Sequence, residues 1–192
     1  MAHVILFHSA LGLRPGITHF AKQLESAGHT VKVVDLYAGE TFEDYKLGNQ
    51  KWFSIGIPAL IKQAQEACKD LPDNVVFAGF SNGAALAEFL AATQKQAKGA
   101  LLMHGALPPA MLQITSWPKN VPVQLHYNTN DPFRNPENDI ALETSVREAG
   151  ANFKEFLYEG ATHLFADPDL PDYIEASAKK MLERALHFLQ LL

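Results

Sequence analysis

Short runs of consecutive apolar residues alternate along this chain with stretches in which apolar residues recur every three or four positions. The runs His3 to Phe7, Thr30 to Asp35, Asn74 to Gly79, Lys98 to His104, Pro122 to Tyr127 and Asn152 to Tyr158 have strand length. Between them the spacing predicts helices. Ile17 to Ala27 puts Phe20, Leu24 and Ala27 on one face, and Gly28 supplies a stop. Ile55 to Lys69 carries Ile57, Leu60, Ile61, Ala64, Ala67 and Cys68 at helical spacing. Asn82 to Gln94, Asn138 to Ala149 and Pro171 to Leu191 complete the set. Leu36 to Ser54 is the least regular stretch and reads as a short cover over a site.

Two of the strands, Val75-Val76-Phe77-Ala78 and Ala100-Leu101-Leu102-Met103, are apolar without alternation. Such strands are buried on both faces. Strands that alternate with helices form a mostly parallel sheet, covered by helices on both sides. The expected class is therefore α/β, and no repeat or flexible linker divides residues 1–192 into more than one domain. In such sheets ligands sit beyond the carboxyl ends of the strands. Residues just after strands are the ones to inspect for chemistry.

Composition narrows the function. Sixteen basic and 21 acidic residues give a net charge of -5. That balance disfavours nucleic acid and anionic membranes as partners, because both need clustered Lys and Arg. The single cysteine, Cys68, excludes an intrachain disulfide, and it falls on the apolar face of a helix, where it reads as packing. No basic, apolar leader opens the chain, and no run approaches a membrane span. A cytoplasmic protein is expected. The eight histidines show no metal-ligand spacing, and neither a dinucleotide nor a phosphate loop is present, so no metal and no cofactor is expected.

One strand end carries a motif. Gly79-Phe80-Ser81-Asn82-Gly83 is G-x-S-x-G, with a strand before it and a helix after it. In that setting the serine sits on a tight turn that lifts its hydroxyl above the sheet edge. A hydroxyl is a weak nucleophile and needs a base, which in turn needs an orienting acid. The chain order for this architecture is serine, acid, histidine. Of the histidines after Ser81, His126 lies within a strand and His187 within a helix. His104 ends a strand and is a pocket candidate. His163 follows the last strand and is the expected base. Asp131 follows the strand that ends near Tyr127 and is the expected acid, ahead of Glu137, Asp139 and Asp35. Backbone N–H groups of Asn82 and of the loop after the first strand, His8 to Leu13, would form an oxyanion hole.

These residues resemble the dienelactone hydrolase family of α/β-hydrolases, and the likeness runs along nearly the whole chain. Val33-Val34-Asp35-Leu36-Tyr37 is similar to the family's strand ending in Asp-Leu-Tyr. Gly79 to Ala87 is similar to its nucleophile elbow and helix, Asp131 with Phe133 to its acid loop, and Thr162-His163-Leu164-Phe165-Ala166 to its histidine loop. Aligning His8 to Gly12 with its oxyanion loop makes Ala10 the second N–H donor. The resemblance implies an α/β-hydrolase fold with little or no lid, and it implies that the family's leading hairpin is missing. It also exposes departures. Ser81 stands where the type member has cysteine, and Ser9 stands where a glutamate controls that thiol. Asp167 follows the histidine loop and no arginine occurs in Leu36 to Ser54, so a carboxylate would meet a substrate carboxylate where the family uses arginines.

The expected activity is hydrolysis of a small, neutral carboxylic ester or thioester through an acyl-enzyme on Ser81, with His163 and Asp131 completing the triad. Leu11, Phe80, His104 and Phe165 are the expected pocket residues, with Leu13, Trp52, Phe53 and Met103 as further candidates. The alternatives are a non-catalytic module that binds a ligand or partner in the same cleft, and a peptidase or acyltransferase on the same triad. Oligomeric state is left open.

Overall fold

The computed structural model describes the whole chain, Met1 to Leu192. Six strands form one parallel sheet: β1 (His3–Phe7), β2 (Thr30–Val34), β3 (Val75–Phe80), β4 (Ala97–Met103), β5 (Val123–Asn128) and β6 (Phe153–Tyr158), in the order β2-β1-β3-β4-β5-β6. Six helices join them: α1 (Pro15–Ser26), α2 (Tyr45–Ile55), α3 (Ile57–Ala67), α4 (Asn82–Thr93), α5 (Pro136–Glu148) and α6 (Glu175–Gln190). Each expected strand is found, with no end moved by more than one residue.

The sheet divides the core in two. Ile5, Phe7, Val75, Phe77 and Leu102 face one apolar cluster with Leu60 and Ala64 of α3, Leu90 of α4 and Val146 of α5. Val4, Leu6, Val76, Ala78 and Leu101 face the other, with Phe20 and Leu24 of α1 and Met181 and Phe188 of α6. Alternate side chains of one strand thus feed opposite clusters. That is why β3 has no polar position: all six of its residues are buried.

Strand order reverses at β1, which pairs with β2 on one side and β3 on the other in aligned register. The connections leaving β1 and β3 therefore diverge. They open a crevice at the carboxyl end of the sheet, the switch point at which α/β proteins bind ligands.

Three expectations on element boundaries are corrected. Leu36 to Ser54 is not wholly irregular, because most of its second half is α2, started by the Asp44 side chain accepting the Leu47 N–H. The helix expected from Ile55 to Lys69 starts at Ile57, because Gly56 at φ 85° breaks the chain between α2 and α3. Alternating small and apolar residues hid that break in the sequence. The last helix starts at Glu175 rather than Pro171, leaving 171–174 free to hold the loop before it. No helix is long and apolar enough to cross a membrane.

Candidate active site

Ser81 alone makes the turn between β3 and α4, at φ 53° and ψ -118°. A non-glycine residue there is strained, and such strain is held only where packing over-determines it. The packing is visible. A Cβ on Gly79 would lie 2.2 Å from the Gly83 carbonyl oxygen, and one on Gly83 would lie 2.3 Å from the His8 carbonyl oxygen. Both glycines are required by close backbone approach. The Ser81 N–H is fixed by donating to the Met103 carbonyl at 2.7 Å.

Three side chains from distant loops meet at this turn. The Ser81 hydroxyl lies 2.7 Å from His163 Nε2. His163 Nδ1 lies 2.8 Å from Asp131 Oδ2 and 3.0 Å from Oδ1. With its proton on Nδ1, the ring donates to Asp131 and accepts from the Ser81 hydroxyl. Asp131 is held in turn by the Phe133 N–H, which donates to Oδ1 at 2.8 Å. His163 and Asp131 are buried. This alignment can withdraw the serine proton as the oxygen attacks.

The histidine loop has its own supports, and these were not legible in the sequence. Asp172 Oδ2 accepts the His163 N–H at 2.9 Å, the Leu164 N–H at 3.2 Å and the Tyr45 hydroxyl at 2.8 Å. Burial and the neighbouring Asp172 carboxylate push the Tyr45 phenol up, so it remains a donor. Asn128, at the end of β5, donates to the Thr162 carbonyl at 2.9 Å and ties the acid and histidine loops together.

The loop after β1 is equally braced. One ring nitrogen of His8, Nδ1, donates to the Ser9 carbonyl at 2.7 Å, and Nε2 accepts the Leu36 N–H at 3.0 Å. The Ser9 hydroxyl oxygen accepts the Leu11 N–H at 3.2 Å. The Tyr37 hydroxyl donates to the Ala10 carbonyl at 3.2 Å. No backbone carbonyl accepts from the Ala10 N–H. Asn82, first residue of α4, is one of the helix's open donors. Tyr37 is the last residue of the Asp-Leu-Tyr segment, and its role here becomes readable only from the fold.

A cavity of about 380 Å³ adjoins Ser81 and His163. Trp52 and Phe53 of α2, Ile57 and Ile61 of α3, and Leu86 of α4 form much of its wall. No Lys, Arg, Asp or Glu lines it. Of the residues expected in the pocket, His104, Trp52 and Phe53 are there. Leu11, Phe80 and Phe165 are not. All three belong to the core cluster on the opposite face of the sheet, with Met103 and, packed against it, Leu13. Phe80 shows the reason. It shares the parity of Val76 and Ala78, so strand alternation turns it toward α1, where its ring meets Phe20 at 5.2 Å.

The expected carboxylate beside the substrate is also corrected. Asp167 is buried away from the cavity and accepts from Arg14 Nε at 3.2 Å. Arg14 is further committed to the Phe42 and Asp169 carbonyls. Neither charge is offered to the site. His126, inside β5, is bonded to Tyr158 and Gln124 at 2.8 and 2.9 Å. Burial, with Arg184 nearby, pushes its ring down to about 3, so it is a neutral core group.

The model of the dienelactone hydrolase family matches residues 1–192. Among curated proteins no sequence matches. Among solved structures, a dienelactone hydrolase-like promiscuous phosphotriesterase from metagenomic libraries superposes with a TM-score of 0.82 at 21% identity, covering 100% of this chain and 87% of that one. A Klebsiella pneumoniae protein classed with the dienelactone hydrolases gives 0.79 at 20% identity, over 100% and 88% of the two chains. A Bacillus cereus carboxylesterase gives 0.61 at 20% identity, over 99% and 88%. At such identities the superpositions establish a shared α/β-hydrolase fold.

Proposed function

The chain belongs to the dienelactone hydrolase family of ester hydrolases, and on that premise we propose that it cleaves a small neutral ester or thioester through an acyl-enzyme on Ser81. The observation that carries this reading is the 2.7 Å approach of the Ser81 hydroxyl to His163, whose other ring nitrogen meets Asp131 at 2.8 Å.

Ser81 Oγ attacks the ester carbonyl and His163 Nε2 takes the hydroxyl proton. Asp131 holds the imidazole in the competent tautomer and stabilises the cation that forms. The Ala10 and Asn82 N–H groups receive the developing oxyanion, each worth about 2.7–4 kcal/mol of barrier by analogy with other such sites. His163 then returns the proton to the departing alcohol or thiol. In the second half-reaction His163 takes a proton from water, the hydroxide adds to the acyl carbon, and the carboxylic acid leaves as Ser81 recovers its proton.

The cavity supports the neutral class. An apolar wall without a cation offers a substrate carboxylate no partner, and burying an unpaired charge is costly. Neutral esters of modest size are therefore favoured over the anionic lactone after which the family is named.

The test is covalent labelling with a fluorophosphonate, together with turnover of p-nitrophenyl acetate and butanoate. Wild type should be labelled on Ser81 and should turn over both esters, whereas Ser81→Ala should do neither. Equal turnover by the two proteins, or an unlabelled wild type, would remove the acyl-enzyme and favour a binding module.

A further inference from the structure

Several polar side chains on the cavity wall are already committed. Ser81 and His163 bond each other, and the Asn82 side chain donates to Asn49 Oδ1 at 3.1 Å. The ring nitrogens of His104 are sealed, with Phe80 and Phe165 packed against the ring. Tyr127 and Asn138 line the same cavity and are placed differently. Tyr127 rises from β5 on the cavity side of the sheet. It shares the parity of Val123 and Leu125 and joins them in the apolar cluster that holds Trp52, Leu86 and Leu112. Its rung is the one that carries the chemistry. Phe80 pairs with Met103, and Met103 with His126. The ladder continues past them, because the Ser81 N–H donates to the Met103 carbonyl and the His104 N–H to the His126 carbonyl. The next rung therefore runs Ser81, His104, Tyr127. Across it the Cα atoms of Ser81 and Tyr127 stand two strand spacings apart, about 10 Å.

The Tyr127 side chain is buried, yet its hydroxyl is neither bonded nor enclosed. No protein group accepts its hydrogen, and it is not one of the sealed, unpaired side-chain atoms, which belong to Glu88, His104, Asn128 and Asp139. For a buried residue on a cavity wall, the open space that its hydroxyl meets is the cavity. Burial, with Asp139 and then Asp131 adding to the rise, pushes the phenol up, so it keeps its proton and remains a donor. Asn138, in the first turn of α5, supplies the complementary group. Its Nδ2 donates to the Ala106 carbonyl at 3.4 Å, and this fixes the amide's orientation, because a carbonyl can only accept. Asn138 Oδ1 is left without a partner and is likewise not sealed. The two side chains converge on one residue: the Ala106 N–H lies by the Tyr127 oxygen, and the Ala106 carbonyl by Asn138 Nδ2. One free donor and one free acceptor thus stand close together among apolar neighbours such as Leu107 and Leu112.

We infer that Tyr127 and Asn138 form a hydroxyl-recognising subsite of the cavity, in which the phenol donates to a substrate hydroxyl and Asn138 Oδ1 accepts that hydroxyl's hydrogen. The favoured substrates are then neutral esters that carry a free alcohol, on either the acyl or the alcohol side. The rung sets the distance: the alcohol stands several bonds from the carbon that Ser81 attacks. An alkyl chain lodged in the same place would shut the phenol hydrogen away from water with nothing to accept it, and a site of that kind rejects the analogue that lacks the group. The inference rests on the acyl-enzyme reading in its kinetic test and is independent of it in its binding test.

The kinetic test uses two pairs in which a methyl replaces the hydroxyl. On the acyl side, methyl 6-hydroxyhexanoate is compared with methyl heptanoate. On the alcohol side, 4-hydroxybutyl acetate is compared with pentyl acetate. Dividing the wild-type kcat/KM ratio by that of Tyr127→Phe cancels the intrinsic reactivity of each ester. At least one pair should show a quotient of about fivefold or more, the effect of leaving a donor unpaired, and the responding pair tells which side carries the alcohol. Asn138→Ala should raise the quotient above one in that same pair. Quotients within the error of one for both pairs would overturn the proposal. A response to Tyr127→Phe alone would overturn it as well, since a lone donor serves an ether or a ketone as readily as an alcohol. Tyr127→Phe should unfold at a temperature no lower than wild type. A clear drop would mean that the hydroxyl serves the fold, and that also refutes the subsite.

The binding test needs no turnover. The same four esters are titrated by NMR into Ser81→Ala, with and without Tyr127→Phe. In at least one pair, adding Tyr127→Phe should weaken the alcohol relative to its alkyl partner by about fivefold or more. Ratios of dissociation constants that Tyr127→Phe leaves unmoved in both pairs would refute the contact even if the serine chemistry stands. A ratio that moves, in a protein whose wild type hydrolyses none of the esters, would support the subsite and remove the acyl-enzyme reading instead.

Discussion

Within the middle of β3 and β4 each residue is apolar, buried and in an ordinary strand conformation, as Phe77, Ala78, Leu101 and Leu102 are. One residue past the end of either strand, the character of the chain inverts. Ser81 and His104 both take positive φ, at 53° and 59°, and bring a half-buried hydroxyl and a buried ring to the edge of the sheet. His8, Asp131 and His163, at the ends of other strands, are buried polar groups as well. The two regions are neighbours with opposite physics. The strand middles gain stability from burial, and the rim spends some of it on strained turns and enclosed polar atoms. A site that must aim a hydroxyl, a ring and a carboxylate at one point needs a stiff foundation, and the apolar ladder beneath supplies it.

Four substitutions would break or sharpen this contrast. The largest effect belongs to the rim. Asp131→Asn should lower kcat on a p-nitrophenyl ester by about ten-thousandfold, because an amide holds the His163 ring in the wrong tautomer. A loss smaller than tenfold would show that the 2.8 Å contact does not drive the chemistry. In the foundation, Phe77→Ala should destabilise the fold by about 3–5 kcal/mol in denaturant titrations, through lost burial and a residual cavity. A change under 1 kcal/mol would mean that the middle of the sheet is not what holds the rim.

Glu88 gives an intermediate, pH-dependent case. It lies buried on α4, with Oε2 accepting the Leu107 N–H at 3.0 Å and Oε1 unpaired. Burial is the main cause that pushes its carboxyl up from 4.5 to about 8, with Asp139 adding to the rise. Between those two values the folded chain keeps a proton that the unfolded chain has released. Stability therefore falls as pH rises through that window. Glu88→Gln cannot ionise, so relative to wild type it should gain up to about 4 kcal/mol between pH 5 and pH 9. Parallel denaturation midpoints for the two proteins across that range would contradict the assignment. The smallest effect is expected from relaxing the elbow itself. Ser81→Gly should raise stability by about 1 kcal/mol, since glycine tolerates a positive φ. A destabilised variant would show that the turn is unstrained.

How far the site could be read from sequence differs from residue to residue. Ser81, Asp131 and His163 were legible because each follows an apolar run, and the end of such a run marks the same sheet edge wherever it falls in the chain. Asp172, Tyr37 and Tyr45 were not legible. They act through side-chain bonds to segments 8 to 127 residues away, and no local pattern records such a bond. Phe80 and Phe165 were misplaced in the pocket because adjacency to Ser81 and His163 in sequence does not fix which face of the sheet a ring takes. Asp167 was misread for the same reason, since its partner Arg14 stands 153 residues earlier.

The alternation of apolar strands with helical spacing, and the glycines around Ser81, came from the sequence alone, because local sterics and burial periodicity act over a few residues. Which walls enclose the cavity, which charges are already paired, and which histidine is left without a partner were decided only when the chain closed. Those properties depend on contacts between segments far apart, whose geometry exists only once the sheet has set their spacing.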